Sequence, residues 1–306
     1  MTPESRNGRF GGTLDASRGT TLPKVMLWQL SKLLRIFQPK PPASPLDISY
    51  EPERLHTETD FICWLGHASF LIQIGGKRLL LDPVFGDIPF CKRHTPAPYH
   101  AEELTPVDYV LVSHAHYDHF DASSLAMLQE SAPLAIVPLH TAPTLKASAP
   151  ALPCQELGWF ESFEADGLRL TFVPSMHMSR RTPFDNNTRL WGGFVIESGG
   201  HCIYFAGDTG YGPHFKEIGK RFDIDYALLP ISSYAPEFVM KYTHLNPQEA
   251  YNAFKELDAK TLIPMHYGTF DLSDEPLNEP LEWMQKIAAE HPDNIRFLTT
   301  GNVLML

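Results

Sequence analysis

The run Ser113-His114-Ala115-His116-Tyr117-Asp118-His119 places three imidazoles and one carboxylate within six residues, between the apolar stretch DYVLV (108–112) and a helix expected from about Asp121. An apolar run of that length bounded by polar residues reads as a buried strand, and the Asp121 carboxylate can cap the helix that follows. The polar loop therefore sits where a strand hands over to a helix, a position at which α/β architectures gather functional groups. On a turn, side chains two apart converge on one point while Asp118 and His119 swing toward a second. Imidazole and carboxylate are ligands that zinc takes at roughly 2.0–2.2 Å, and two-metal hydrolytic sites space their ions by about 3.5–4 Å. A chance histidine-rich surface turn is the plain alternative, although HxHxDH is far more restrictive than a lone HxxxH.

Such a loop needs further ligands, and three candidates each follow an apolar, strand-like run: His177 after LRLTFVPSM, Asp208 after CIYFAG and His266 after TLIPM. The runs themselves repeat a grammar. FICWL (61–65) and SFLIQI (69–74) lead through Gly75-Gly76 to RLLLD (78–82); later, LRLTFV (168–173) precedes FVIES-Gly199-Gly200-HCIYFAGD (194–208) and DYALLPI (225–231). Gly-Gly between apolar runs is a hairpin signal, and each hairpin ends in an aspartate, Asp82 or Asp208. Unless that likeness is accidental, it predicts two similar halves. Two sheets packed face to face with helices outside, a four-layer αββα sandwich of the α/β class, is the natural closure. Asn246-Pro247 opens a helix as N-cap and first-turn proline.

The sandwich domain is expected over 60–306, preceded by an arm (1–59) that ends in a proline-rich linker with Pro39, Pro41, Pro42 and Pro45. Charge is uneven along the chain: residues 1–45 carry seven basic residues against two acidic ones, +5 against −16 for residues 46–306. A net −11 disfavours a phosphate polymer, so nucleic acid is not expected as a partner. Cys63, Cys91, Cys154 and Cys202 form no CxxC pair, which speaks for reduced, packed thiols rather than a disulfide framework. No apolar run is long enough to span a bilayer, and residues 10–21 (FGGTLDASRGTT) do not read as an export signal, so a cytoplasmic protein is expected. Between Pro23 and Pro39, Met26, Leu30, Leu33, Leu34 and Phe37 recur at helical spacing, with Lys24, Lys32 and Arg35 off the stripe. This helix either packs its stripe on the body, serves a homodimer, or lies on the inner face of a membrane with Trp28 near the headgroups.

The loop and its three partners resemble the metallo-β-lactamase fold hydrolases over residues 60 to 300. The resemblance implies His114, His116 and His177 around a first metal, Asp118, His119 and His266 around a second, and Asp208 bridging them. A flavodiiron-type oxidoreductase of this fold would carry Glu at His116, so hydrolysis is the better class. More narrowly, WLGHASFLI (64–72), LLLDPVF (80–85), FAGDTGY (205–211), EIGKRF (217–222), EFVMKYTHLNPQEA (237–250) and MHYGTFDLSDEP (265–276) look like the N-acyl-phosphatidylethanolamine-hydrolysing phospholipase D family. The loop after Phe85, GDIPFCKRHTPAP, is shorter than that family implies, so its headgroup and chain preferences do not transfer.

The resemblance implies a zinc phosphodiesterase in which a metal-bridging hydroxide attacks phosphorus, releasing N-acylethanolamine from phosphatidic acid, with Asp208 and Asp118 at the catalytic centre. His244 is the candidate phosphate donor or leaving-group acid, against the alternative of a packed loop histidine. His67 is expected to orient a ligand or the bound anion, or simply to sit satisfied in the core. Arg180 and Arg181 are candidates to reach a phosphate, or else are solvated. Asp82 is expected to hydrogen-bond a ligand histidine. His56, His94, His100, His140, His201, His214 and His291 carry no expected role, and Asn186-Asn187-Thr188 reads as a polar loop. Two rival readings remain: a metal-dependent lactonase or other small-ester hydrolase, and a non-catalytic binding module. The apolar segment 231–245, with Ile231, Tyr234, Phe238, Val239, Met240 and Tyr242, favours a greasy substrate.

Overall fold

In the computed structural model, which describes residues 3–19, 22–34, 40–89, 91–131, 133–291 and 295–306, the arm opens with strands β1 (Glu4–Arg6) and β2 (Arg9–Gly11) and helix α1 (Leu22–Leu34). The first half of the body runs β3 (Phe61–Trp64), β4 (Phe70–Ile74), β5 (Lys77–Leu81), β6 (Tyr109–Leu111), α2 (Ala122–Met127), β7 (Leu134–Pro138), α3 (Ala142–Ser148) and β8 (Cys154–Leu157). The second runs β9 (Ser162–Ala165), β10 (Leu168–Val173), β11 (Gly193–Ser198), β12 (His201–Phe205), α4 (His214–Gly219), β13 (Tyr226–Pro230), α5 (Glu237–Met240), α6 (Pro247–Leu257), β14 (Thr261–Met265), α7 (Glu279–Glu290) and β15 (Val303–Met305).

These strands form one sheet of order β15-β3-β4-β5-β6-β7-β8 and another of order β14-β13-β12-β11-β10-β9. The halves share a pairing pattern. A two-residue hairpin joins β4 to β5 and β11 to β12, and each returning strand is followed by two parallel partners, β6 and β7 in one sheet, β13 and β14 in the other. Both turns need positive φ at two successive residues, and Gly75 (56°), Gly76 (71°), Gly199 (60°) and Gly200 (85°) supply it.

Alternation within each strand sorts side chains into layers. Ile62, Trp64, Phe70, Ile72 and Leu79 face the second sheet, where Phe70 meets Phe205 edge-on. Phe61, Cys63, Leu71, Leu80 and Val110 face the other way, onto Phe120, Leu125 and Leu145 at α2 and α3. On the far side α6 buries Ala250, Ala253, Phe254 and Leu257, and packs against α4 and α7. This is the αββα sandwich. Asp121 accepts from the Ser124 N–H at the start of α2, and Asn246 from the Glu249 N–H at the start of α6, so both expected caps are made. All four cysteines are free thiols; Cys63 and Cys202 are buried, Cys91 and Cys154 half-buried.

The arm departs from expectation. Trp28, expected near the headgroups only if the helix lies on a membrane, is 7% exposed, and its indole N–H donates to Asp274 Oδ2 at 2.9 Å. The inward face of α1 is Val25 and Trp28, whereas Met26, Leu27 and Leu30 are 56%, 63% and 57% exposed, so the predicted stripe does not pack on the body through Met26 and Leu30. The reason is geometric: a helix lying on a concave surface buries the large ring three residues from Val25, and that choice turns the stripe outward. Arg35 and Phe37 lie outside the described residues, as do the side chains of Lys32, Leu33 and Leu34. No helix among the described residues is long and apolar enough to cross a membrane.

Candidate metal centre

The functional side chains collect at one rim of the sandwich, where strands end. The 113–119 loop follows β6, His177 comes after β10, Asp208 after β12 and His266 directly after β14. Three of the rim residues sit in left-handed backbone, Asp82 at φ 38°, His67 at 52° and His266 at 65°. None is glycine, and such conformations persist where the surroundings enforce them. His67 and His266 are locked together: the His67 carbonyl accepts from the His266 N–H at 2.8 Å and from Trp64 Nε1 at 2.9 Å.

Two clusters result, and they share Asp208. In the first, His116 Nδ1 lies 2.9 Å from His114 Nε2 and 3.1 Å from His177 Nε2, while Asp208 Oδ2 is 3.9 and 3.8 Å from those two Nε2 atoms. In the second, Asp118 Oδ2 is 3.6 Å from both His119 Nε2 and His266 Nε2, and Asp208 Oδ1 is 3.2 and 3.0 Å from the same nitrogens. Ligands held tetrahedrally at zinc distances stand about 3.4 Å apart, and these separations bracket that value. A cation also resolves an accounting problem. His119 Nε2, His266 Nε2 and Asp208 Oδ1 are buried with no hydrogen-bond partner, a costly arrangement unless they face a positive ion.

The outer ring nitrogens explain why the inner ones are lone pairs. His119 Nδ1–H donates to Asp82 Oδ2 at 2.7 Å, as expected for Asp82, and His177 Nδ1–H donates to the Thr243 carbonyl at 2.9 Å. Ser113 Oγ–H donates to Asp82 Oδ2 at 2.6 Å, so its 3.0 Å contact with His114 requires His114 Nδ1–H as donor. Asp82 therefore sets the tautomer of one ligand in each cluster. Charge follows the same division. Burial and the neighbouring His119, His116 and His177 rings hold His114 well below the ordinary histidine range. Burial also opposes the charged form of His119, but the Asp208 and Asp118 carboxylates outweigh it and push that ring well above the range, so they call for a positive charge that a cation bound there would supply in the proton's place.

The centre floors a cavity of about 370 Å³. His244 faces it, its Nδ1 3.7 Å from Asp208 Oδ2, and burial lowers the ring to about 3. His67 Nε2 lies 3.1 Å from Asp118 Oδ2, next to the second cluster, so it orients a carboxylate. Arg180 is exposed at the cavity lining. Arg181 is not part of that lining: its Nη1 donates to the Ala115 and Phe120 carbonyls at 3.0 and 2.8 Å and its guanidinium covers the Tyr117 ring, so it braces the histidine loop instead of reaching a phosphate. Of the segment 231–245, Val239 and Met240 line the cavity, whereas Phe238 and Tyr242 point outward and Ile231 is core. The loop after Phe85 contributes Ile88 and Pro89.

Several contributors had no readable signal in the sequence. Thr243 acts through its carbonyl, Ser113 through a relay, and Val25 and Trp28 from the arm. Of these, Ser113 alone adjoins the histidine motif, and an outer partner there was the one to look for.

Residues 77–267 match the family of the beta-lactamase superfamily domain. The chain belongs to the metallo-β-lactamase fold hydrolases, and it is a metal-dependent hydrolase of that superfamily. It is 33% identical to N-acyl-phosphatidylethanolamine-hydrolyzing phospholipase D 1 of Caenorhabditis elegans over 258 residues, 78% of this chain and 72% of that one. An uncharacterized protein of Mycobacterium tuberculosis is 33% identical over 315 residues (96% and 82%), and a UPF0173 metal-dependent hydrolase of Methanosarcina barkeri 30% over 247 (80% and 98%). Among solved structures, a metallo hydrolase of the archaeon Ignicoccus hospitalis superposes with a TM-score of 0.63 at 22% identity, over 81% of this chain and 98% of that one.

Proposed function

We propose that this chain is a dinuclear zinc phosphodiesterase of the phospholipase D type, acting on N-acyl-phosphatidylethanolamine or a related phospholipid. The observation that carries the reading is the mixed lining of one cavity, divided between the clustered His116, His177, Asp208 and His244 and the apolar Trp28, Val239, Met240 and Leu272. A substrate with an anionic reacting centre and hydrocarbon beside it matches that division. The similarity to the nematode enzyme points the same way.

His114, His116 and His177 would hold one ion, Asp118, His119 and His266 the other, and Asp208 both. Ions bound there would supply Lewis acidity, lowering the pKa of water toward about 7 and offsetting phosphoryl charge. The chain's residues do the rest. Asp208 and Asp118 aim the water at phosphorus, and Asp82, Ser113 and Thr243 keep the imidazole lone pairs facing inward. His244, neutral at pH 7, offers an N–H to a phosphoryl oxygen, which favours the donor role over that of leaving-group acid. Water adds to phosphorus, the P–O bond to the ethanolamine side breaks, the leaving oxygen takes up the proton that the water gives up, and the products are phosphatidic acid and N-acylethanolamine. Met26, Leu27 and Leu30, exposed on the helix that walls the cavity, would rest in a membrane interface beside Lys24.

The test is metal analysis of purified protein together with mass spectrometry of products from mixed phospholipids and lactones. Two equivalents of zinc with phosphatidic acid as product are expected. Lactone opening without phosphodiester cleavage would replace the reading with a lactonase of the same fold.

A further inference from the structure

The arm is pinned at both ends. On one side the Phe10 N–H donates to the Asn187 carbonyl at 2.7 Å, the Ala16 N–H to the His177 carbonyl at 3.0 Å, and Asn187 Nδ2 to Asp15 Oδ1 at 2.9 Å. On the other, Lys40 pairs with Asp271 and the Ser273 carbonyl, and the Leu46 N–H donates to Thr95 Oγ1 at 2.9 Å. Helix α1 lies between these anchors, packed against α5, and presents Val25 and Trp28 to the cavity.

Trp28 is held in place as well as buried. Its N–H bond to Asp274 ties it to a braced segment: the Asp274 N–H donates to the Ala235 carbonyl at 3.0 Å, and Glu275 Oε2 accepts from the Ala235 N–H, also at 3.0 Å. An indole fixed at its polar end and 7% exposed gives the cavity a rigid apolar edge. At about 370 Å³ the cavity is near the lower bound for small-molecule sites. It takes the reacting phosphate and the first few carbons beside it, not a whole two-chain lipid.

We infer that the arm helix is a specificity wall, with Trp28 and Val25 selecting substrates that carry linear hydrocarbon within a few carbons of the phosphorus. This rests on the phosphodiesterase reading, so the test separates the two. Metal-replete, full-length protein is titrated calorimetrically with octylphosphonate and with methylphosphonate, and assayed on p-nitrophenyl octyl and p-nitrophenyl methyl phosphodiesters. The wild type is expected to prefer the octyl member by about 10-fold or more in binding and in kcat/KM, the scale of contacts in an apolar pocket. Trp28→Ala should bring that ratio to within about 3-fold of unity, the larger loss falling on the octyl member, while metal content stays at the wild-type level. Trp28→Phe, which keeps an aromatic face, should retain most of the preference. A Trp28→Ala loss shared equally by both substrates, or a wild type indifferent to chain length, overturns the wall. A Trp28-dependent preference in binding with neither diester hydrolysed upholds the wall and overturns the phosphodiesterase reading instead.

Discussion

Replacing Asp82 by Asn changes one oxygen to an amide and almost no volume, yet it should weaken metal binding at both positions. The carboxylate accepts three hydrogen bonds, from the Ser113 N–H at 2.7 Å, Ser113 Oγ–H at 2.6 Å and His119 Nδ1–H at 2.7 Å, and it is wholly buried. An amide can accept at one end only. Its NH2 would face either the Ser113 N–H, or Ser113 Oγ–H and His119 Nδ1–H together, at a position with no exposed surface. The cheapest escape in the second orientation moves the His119 proton to Nε2, where it occupies the lone pair that faces Asp118 and Asp208. The Ser113 hydroxyl, turned away, also stops accepting from His114. Partners of this kind are worth about 10- to 100-fold in metal affinity, which is about 1.4 to 2.7 kcal/mol per position. Chelator competition on the zinc protein measures it, with the optical spectrum of a cobalt-substituted sample reporting each position. His119→Ala is the control, expected to weaken one position. Wild-type affinity in Asp82→Asn would refute the tautomer argument, and loss at the His119 position alone would refute the Ser113 relay.

His244→Ala should keep its metal while kcat and kcat/KM fall together by roughly 10²- to 10³-fold; loss of metal in that variant, read by elemental analysis, would make His244 a ligand. Met26→Ser, Leu27→Ser and Leu30→Ser combined should lower binding to anionic liposomes and slow hydrolysis of vesicle-borne lipid without changing turnover of a soluble diester, and equal losses on both substrates would tie that face to the fold. Burial opposes ionisation of Asp185, but N–H bonds from Thr182 and Arg181 and the Arg189 side chain outweigh it and bring the carboxyl down to about 2. Its folded pKa lies below the unfolded value of about 3.9, so its stabilisation is present above pH 4 and fades as pH falls toward 2. Acid unfolding of Asp185→Asn followed by circular dichroism should therefore differ from wild type above pH 4 and converge with it near pH 2; a constant offset would remove the role.

How far the sequence could be read follows from the range of the contacts involved. The two Gly-Gly turns, the caps at Asp121 and Asn246, and the crowding of ligands at 114–119 are local, and each was legible because its cause lies within a few residues. His177, Asp208 and His266 were legible by position, as the first polar groups capable of binding metal after apolar strands. What escaped was long-range. Nothing in the periodicity of residues 22–37 says which of two apolar faces looks inward; the concave rim chose Val25 and Trp28. Nothing in Arg180-Arg181 says which guanidinium the Ala115 and Phe120 carbonyls will capture.

The N-terminal segment shows the same limit with an experimental consequence. On charge and proline content the arm reads as an appendage, and deleting residues 1–40 then looks like a clean way to separate membrane anchoring from catalysis. Yet Asp15 forms a bridge with His177, the Ala16 N–H donates to the His177 carbonyl, and Asp15 holds Asn187, whose own amide oxygen accepts from the Ser179 N–H beside that ligand loop. Truncation would strip these bonds from the segment carrying one metal ligand and open the cavity wall at Trp28 as well. Loss of activity in a truncated protein would therefore say nothing about lipid. Only substitutions confined to the outward face of α1, at Met26, Leu27 and Leu30, leave the His177 loop and the wall intact while changing what the helix can rest upon.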